Sequence, residues 1–235
     1  MAANAPVAVE FHDVSRLYGN FAALRRASCS FATGEMHVLL GENGAGKSTM
    51  MRMIAGLVSP SLGKVQVLGT TPGQARDRVA YMSHAAMLYD ELTPMENLTY
   101  FARLHCKADA CALCHASPEM ALRAVGIDPH LERNVSQLSQ GMRQRVSLAS
   151  AILADPELLL LDEPFSNMDV DGARDLVVLL RDFLTWPLNN GEGKRTIILT
   201  THQHELVRDA ADSIVRLHRG SVVAQQDPPQ DAVAA

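Results

Sequence analysis

Hydrophobic and polar residues alternate along the chain in short blocks, and the most apolar blocks are only a few residues long. The runs 38–40, 158–161 and 197–199 contain only Val, Leu and Ile, which is typical of parallel strands buried on both faces. Together with other β-branched or apolar runs they predict nine strands. These are Val7–Phe11, Ala27–Phe31, Met36–Leu40, Lys64–Leu68, Arg78–Met82, Leu158–Leu161, Thr196–Leu199, Ile214–Leu217 and Ser221–Ala224.

Helical segments lie between these strands, and two of them have clear start signals. The segment Thr93–Glu96 offers an N-cap hydroxyl, a proline at the first helical position and a capping-box glutamate. Ser117 and Pro118 begin another helix in the same way. The alternation predicts an α/β fold whose mostly parallel sheet is covered by helices, with a helical insert from Thr93 to about His130.

Composition limits the kinds of protein that this chain can be. With 235 residues, 47% hydrophobic and 20% charged, it fits one large globular domain. A net charge of -5 provides no general basic surface, so we expect no nucleic-acid partner. No apolar run approaches the roughly 20 residues that a membrane helix needs, and four cysteines do not resemble a disulfide framework. We therefore expect a cytoplasmic protein.

The segment 41–48 reads GENGAGKS and fits the phosphate-loop pattern G-x-x-x-x-G-K-[ST]. It follows a predicted strand and precedes a helix, as this pattern requires. Glycines let successive backbone N–H groups turn toward phosphates, and the helix start presents its positive end to the same anion. We expect Lys47 to contact the β- and γ-phosphates of ATP, and Ser48 to bind Mg²⁺.

Two adjacent carboxylates follow the apolar run 158–161. Asp162 and Glu163 would be delivered to the carboxyl edge of the sheet, where ligands of such sheets bind. Side chains alternate along a strand, so the two should point in different directions. We expect Asp162 to serve Mg²⁺, usually through water, and Glu163 to act as the general base for the attacking water.

The segment Leu138–Met142 reads LSQGM and resembles the LSGGQ signature of the ABC (ATP-binding cassette) ATPases. Its fifth residue is Met instead of Gln, while Ser139 and Gly141 keep the positions that face phosphate. Tyr18 stands where the family has an aromatic residue that stacks on adenine, Asp169 resembles the D-loop aspartate that contacts the opposite subunit, and His202 resembles the switch histidine.

His84 departs from the family pattern. It stands in the segment Tyr81–His84, where the family usually has a glutamine that contacts Mg²⁺ and the attacking water. An imidazole can bind in its place, and ATP turnover would then depend on pH near about pH 6–7. The alternative is that His84 only fills the loop.

The resemblance covers nearly the whole chain and implies a fold and a set of site residues. It implies a P-loop NTPase fold of ABC type, with a mixed β core, flanking helices, an antiparallel β part and a helical subdomain at about 93–150. A single nucleotide-binding domain would span 1–228, and 229–235 would form a disordered tail. Nucleotide contacts are expected from Tyr18, Gly41, Glu42, Asn43, Gly44, Ala45, Gly46, Lys47, Ser48, Thr49, Ser139, Gly141 and Asp169, catalysis from Glu163, His202 and Lys47, and Mg²⁺ binding from Ser48, Asp162 and His84.

The resemblance also implies partners. Two copies would enclose two MgATP and drive a separate membrane subunit, with the chain held at the inner face of the cell membrane. The motifs around His84, 162–165, 169–172 and 200–203 are similar to those of the haem exporter ATPases of bacterial cytochrome c maturation. An exporter ATPase for drugs, lipids or polysaccharide is the nearest alternative.

Three other kinds of protein fit the sequence less well. A soluble ABC protein of translation or DNA repair usually has two cassettes or a long coiled-coil insert, and neither is present here. A P-loop GTPase would need an N-K-x-D guanine motif, which is absent. A structural module would not need Lys47, Asp162, Glu163 and His202 in this order.

The segment 105–115 contains three cysteines and two histidines, including a C-x-x-C-H pattern at Cys111–His115. Incidental packing of reduced cysteines in the helical insert, zinc binding and covalent haem attachment are the three alternatives. Packing explains the cluster most simply, so elemental analysis of the purified protein is expected to find neither zinc nor iron in stoichiometric amount. One metal ion per chain would contradict this.

Overall fold

The structure, a computed structural model, describes residues 6–105, 117–188 and 193–226. It contains a three-stranded and a six-stranded sheet. All nine predicted strands are confirmed, although most differ from the prediction by a few residues at their ends. They are β1 Val7–Tyr18, β2 Phe21–Ala32, β3 Met36–Leu40, β4 Leu62–Val67, β5 Val79–Met82, β6 Leu158–Asp162, β7 Thr196–Thr200, β8 Ser213–His218 and β9 Ser221–Gln226.

The six-stranded sheet has the order β5-β6-β7-β3-β8-β9. Its first five strands are parallel, and β9 joins β8 as an antiparallel edge strand. Every residue of β3, β6 and β7 is buried, because their apolar side chains pack on both faces of the sheet. The α/β class predicted from the apolar runs is confirmed.

The three-stranded antiparallel sheet has the order β2-β1-β4 and forms the antiparallel part. The predicted bounds Val7–Phe11 and Ala27–Phe31 were too short, since both strands are 12 residues long. Between β1 and β2 the register shifts several times, and Asp13 and Arg26 have positive φ angles of 51° and 45°. Such bulges interrupt the alternation of polar and apolar residues on which the prediction relied.

Six α-helices lie in the described part of the chain, namely α1 Lys47–Ile54, α2 Pro94–His105, α3 Pro118–Ala124, α4 Gln140–Leu153, α5 Val170–Thr185 and α6 His204–Val207. The predicted helix starts are confirmed. The Thr93 amide donates to Glu96 Oε2 at 2.8 Å while the Glu96 amide donates to Thr93 Oγ1 at 3.2 Å. Ser117 caps α3 by accepting from the Met120 amide.

The core has two layers, one on each face of the six-stranded sheet. Leu159 and Leu161 of β6 pack toward the layer that contains α4 and α5. Leu158 and Leu160 pack toward α1 and the antiparallel sheet. The period of two along a strand therefore distributes one apolar run between both layers.

Parts of the predicted organisation lie outside what the structure describes. The segment 229–235 and the cysteines and histidine at 106, 111, 114 and 115 are outside the described residues. The assignment of 1–228 to one nucleotide-binding domain stays a prediction. Within the described ranges, no helix is both long and apolar enough to cross a membrane.

A buried histidine lies in the central strand β3. His37 is 1% exposed, its Nε2 donates to the Ala32 carbonyl at 2.9 Å, and its ring packs edge-on against Phe31. Nδ1 has no hydrogen-bond partner among the described residues. Burial lowers the pKa of His37, although the Ala32 carbonyl and the charge of Asp212 act in the opposite direction. The folded protein therefore keeps this imidazole neutral to a lower pH than the unfolded chain does.

Stability should consequently fall in acid. Below about pH 6.5 the unfolded chain protonates this histidine while the folded chain does not, so the free energy of unfolding decreases by at most about 1.4 kcal/mol per pH unit. The decrease ends once pH falls below the folded pKa. Urea unfolding at several pH values should show this slope in the wild type and a smaller one in His37→Leu. Identical slopes in both proteins would contradict the role of His37 in the loss of stability in acid. His130→Leu, at an exposed histidine, is the matched control and should keep the wild-type slope.

Candidate functional site

The predicted phosphate loop connects β3 to α1 and is held closely against β2. Gly46 has a φ angle of 106°, and a Cβ there would lie 2.6 Å from the Ala23 carbonyl oxygen and 2.7 Å from Leu24 Cδ2. Any side chain at this position would push the loop away from β2. Glycine is therefore required for the loop to enter α1 at this point.

Lys47 is the first residue of α1 and is 7% exposed. Its ammonium donates to the carbonyl oxygens of Gly41 at 2.7 Å and Glu42 at 3.3 Å. These bonds hold the charged end inside the curve of the loop. An ammonium has three donors, so Lys47 can also contact a phosphate oxygen there.

Asp162 ends β6 and is held by two neighbouring strands. Thr200 Oγ1 donates to Asp162 Oδ1 at 2.7 Å, and the Tyr81 hydroxyl donates to Oδ2 at 3.2 Å. Burial and then the charge of Asp162 raise the pKa of Tyr81 to about 12, so this hydroxyl stays protonated at neutral pH. The roles of Tyr81 and Thr200 were not predictable from the sequence, because their contacts with Asp162 depend on strand pairing.

Glu163 leaves the strand in a left-handed turn with a φ angle of 57°. The turn, and not strand alternation alone, therefore separates the direction of its side chain from that of Asp162. Its amide donates to Thr200 Oγ1 at 2.9 Å, and its carbonyl accepts from Ser166 Oγ at 2.9 Å and Gln144 Nε2 at 3.3 Å. Both ends of this residue are thus fixed by bonds to its backbone.

The carboxylate of Glu163 faces His202. Glu163 Oε2 accepts from the His202 amide at 3.1 Å. His202 Nε2 lies 3.2 Å from Oε1, which is close enough for an ion pair when the imidazole is protonated. The contact is not aligned as a hydrogen bond, and the buried Oε1 has no hydrogen-bond partner among the described residues. One oxygen of this carboxylate is therefore anchored while the other is left as an acceptor.

These residues surround a cavity of about 550 Å³. The phosphate loop, the end of β6 and the segments after β5 and β7 all contribute to its wall. Its lining residues are Phe21, Ala23, Asn43, Gly44, Ala45, Gly46, Lys47, Ser48, Thr49, His84, Asp162, Glu163, Ser166 and His202.

Six predicted nucleotide contacts are not in this wall, and three of them, Tyr18, Gly41 and Glu42, lie close to the phosphate loop in the chain or in the neighbouring β1–β2 hairpin. Gly41 and Glu42 face Lys47 through their carbonyls, and Tyr18 lies outside the cavity lining with 44% of its surface exposed. The Arg16 guanidinium lies 4.5 Å from the Tyr18 ring centroid. Phe21, which pairs with Tyr18 across the turn between β1 and β2, lines the cavity instead. Phe21 was not among the predicted contacts, and the one sequence feature that could have indicated it is its aromatic side chain just after that turn.

His84 follows β5, is exposed and lines the cavity. It faces the same space as Ser48 and Asp162, so the three predicted Mg²⁺ contacts come together. A hydroxyl, a carboxylate and an imidazole therefore line the same cavity. Its contact with metal or water stays a prediction.

Ser139, Gly141 and Asp169 lie away from the cavity lining. Ser139 is exposed and caps α4, where its hydroxyl accepts from the Met142 amide at 3.2 Å. Asp169 is exposed and caps α5 by accepting from the Gly172 amide at 2.9 Å. The structure therefore brings the phosphate loop and the two carboxylates together, but leaves Ser139 of the signature segment exposed to solvent.

The donor set of the cavity fits a magnesium triphosphate. Mg²⁺ prefers oxygen ligands and keeps several waters, and Ser48 and Asp162 supply oxygens. Both oxygens of Asp162 already accept one hydrogen bond, yet each carboxylate oxygen has a further lone pair for a metal-bound water. Lys47 and the start of α1 add positive charge beside them.

Comparisons with known proteins agree with this geometry. Residues 24–166 match the family model described as ABC transporter. The Nod factor export ATP-binding protein I of Rhizobium leguminosarum bv. viciae is 37% identical over 227 residues, covering 95% of this chain and 70% of that protein. The ABC transporter ATP-binding protein NatA of Bacillus subtilis is 34% identical, covering 86% of this chain and 80% of that protein.

An importer is also similar. The sulfate/thiosulfate import ATP-binding protein CysA of Synechococcus elongatus is 34% identical, covering 92% of this chain and 61% of that protein. Among solved structures, a dimeric ATP-binding cassette in a post-hydrolysis state with ADP and phosphate has a TM-score of 0.79 at 22% identity, covering 94% of this chain and 99% of that one. This last similarity concerns the fold.

Replacing Lys47 with alanine should abolish tight nucleotide binding, because the cavity then loses its buried cation. We expect the dissociation constant of MgATP to rise about 10-fold or more, as measured with a fluorescent ATP analogue. Lys64→Ala, at an exposed lysine of β4, is the control and should bind as the wild type does. Equal binding by Lys47→Ala and wild type would exclude the predicted contact with phosphate.

Proposed function

The chain belongs to the ABC transporter family of ATP-binding proteins, and we propose that it hydrolyses ATP as a homodimer to drive export through separate membrane subunits. The observation that carries this proposal is the separation of two groups of residues. The phosphate loop, Asp162 and Glu163 share one cavity, while Ser139 is exposed at the start of α4. One chain thus holds only part of the site.

A second copy supplies the missing part in this proposal. Two chains related by a two-fold axis would each place Ser139 and Gly141 against the nucleotide held by the other chain. The free start of α4 offers backbone N–H groups and a positive dipole end to a γ-phosphate. Asp169, at the equally exposed start of α5, would contact the opposite chain. MgATP then joins the two copies, and hydrolysis releases them.

The residues of the cavity have distinct roles in the chemistry. Ser48, Asp162 through water, and His84 would hold Mg²⁺, which when bound would supply positive charge to the β- and γ-phosphates. Lys47 orients the same phosphates. Glu163 accepts a proton from the attacking water at Oε1, the oxygen that accepts no hydrogen bond from a described residue. The His202 amide holds Oε2, and the His202 imidazole would contact the γ-phosphate.

A groove outside the nucleotide cavity is the surface that we assign to contact with the membrane partner. A groove of about 250 Å³ runs between β5, the following loop and α4, with Tyr81, Ser83, Met87, Phe101 and Ala151 among its lining residues. Met87, three residues after His84, is 78% exposed, so a large apolar side chain faces solvent beside this groove. We assign this groove to the membrane subunit, so that events at His84 and movement of the helical insert reach that partner.

The identity of the transported molecule is a further element of this proposal, and two observations favour different molecules. Similarity of the motifs around 84, 162–165, 169–172 and 200–203 to the haem exporter ATPases favours haem export for cytochrome c maturation. The Nod factor exporter relative favours the alternative, an exporter ATPase for drugs, lipids or polysaccharide. Genes for haem-handling membrane proteins beside this one would support haem, and genes for another kind of exporter would exclude it.

Glu163→Gln should keep ATP binding but nearly abolish turnover. The amide cannot accept the proton of water, so ATP hydrolysis is expected to fall about 100-fold or more. The bound MgATP should then hold the chains together, and size-exclusion chromatography with MgATP should show a stable dimer.

Glu205→Gln is the matched control, because Glu205 is an exposed carboxylate near His202 in the chain, with 73% of its side chain exposed. It should hydrolyse ATP as the wild type does. Undiminished turnover in Glu163→Gln would remove Glu163 as the base. A strictly monomeric Glu163→Gln protein with MgATP would remove the shared site.

A further inference from the structure

The last residue of β7 contacts both carboxylate residues of the site. Thr200 is fully buried and lies directly opposite Asp162 in the parallel pairing of β6 and β7. Its hydroxyl lies 2.7 Å from Asp162 Oδ1 and 2.9 Å from the Glu163 amide nitrogen. Among the described residues, no other side chain bonds to both Asp162 and Glu163.

The chemistry of a hydroxyl fixes the direction of these two bonds. Thr200 Oγ1 carries one hydrogen and two lone pairs. A carboxylate oxygen can only accept, so the hydrogen is directed to Asp162. The amide of Glu163 can only donate, so it meets a lone pair of the same oxygen. Asp162 thus orients the Thr200 hydroxyl, and the oxygen of that hydroxyl accepts the hydrogen bond from the Glu163 amide.

The position held in this way is one that glutamate rarely adopts. Glu163 has a φ angle of 57°, in the left-handed region that is unfavourable for residues with a Cβ. Ser166 and Gln144 hold its carbonyl, and the His202 amide holds Oε2. The bond to Thr200 is the contact that fixes its amide, where the chain leaves the strand.

We propose that Thr200 is a positioning residue for ATP hydrolysis, whose hydroxyl uses Asp162 as an anchor to fix the turn that directs Glu163 at the attacking water. The inference rests on the proposed function of Glu163 as the general base. It predicts an effect on the rate of the chemical step and little effect on nucleotide binding, because Lys47 and the phosphate loop are untouched. A base displaced by about 1 Å can lose about 100-fold in rate.

Thr200→Val tests this directly, since valine has nearly the same shape and lacks the hydroxyl. We expect kcat for ATP to fall about 10- to 100-fold, while KM and the dissociation constant of MgATP stay within about three-fold. Thr200→Ser keeps the hydroxyl but loses a methyl group, and it should keep kcat within about three-fold of wild type even if it unfolds more easily. Thr200→Ala replaces the valine variant if that protein fails to fold.

Thr196→Val is the matched control on the same strand. Thr196 is also fully buried, and its hydroxyl accepts from the Gly34 amide at 3.0 Å, at the opposite end of β7. It should lose stability as Thr200→Val does while keeping its kcat. A loss of turnover caused only by a weakened strand would appear in both variants and would overturn the proposal.

A second background shows whether Thr200 acts through Glu163. In Glu163→Gln, adding Thr200→Val should lower the residual rate no further, because there is no base left to misplace. A further loss as large as in the wild-type background would overturn the proposal. So would wild-type kcat in Thr200→Val, or an equal loss in Thr200→Ser. Wild-type turnover in Glu163→Gln alone would instead remove the proposed base itself, so the two failures are distinguishable.

Discussion

The parallel pairing of β3, β6 and β7 is the constraint on which the rest of the site depends. Val38 lies opposite Leu199, and Leu199 lies opposite Leu161, so the three strands end at the same edge of the sheet. The segments that follow them carry Lys47, Glu163 and His202. Residues more than a hundred positions apart in the chain therefore line one cavity, and apolar burial of three short strands determines where the charges meet.

Much of this arrangement was predictable because it depends on local patterns. Runs such as 158–161 identify buried strands by composition alone, and the capping box at Thr93 and Glu96 marks a helix start within four residues of sequence. The phosphate loop and the adjacent carboxylates are likewise contiguous motifs. Their grouping in one cavity follows from the rule that parallel strands present their carboxyl ends together.

The rest depended on contacts between distant segments and was not predictable from the sequence. The hydroxyls of Tyr81 and Thr200 reach Asp162 only because β5 and β7 flank β6. The left-handed turn at Glu163 depends on the bonds that fix it. Phe21, and not Tyr18, lines the cavity, although the two residues pair across the same turn of the β1–β2 hairpin.

The central claim is that each ATP site is shared between two copies of the chain, and mixing two inactive variants tests it most directly. One variant is Lys47→Ala, and the other is the double variant Ser139→Ala/Gly141→Ala. A Cβ at 141 would meet its nearest neighbour at an ordinary 3.5 Å, and loss of the Ser139 cap costs about 1 kcal/mol. A mixed dimer would contain one intact site, so equal mixing should restore about a quarter of wild-type ATP turnover. A mixture no more active than the two separate proteins would contradict the shared site.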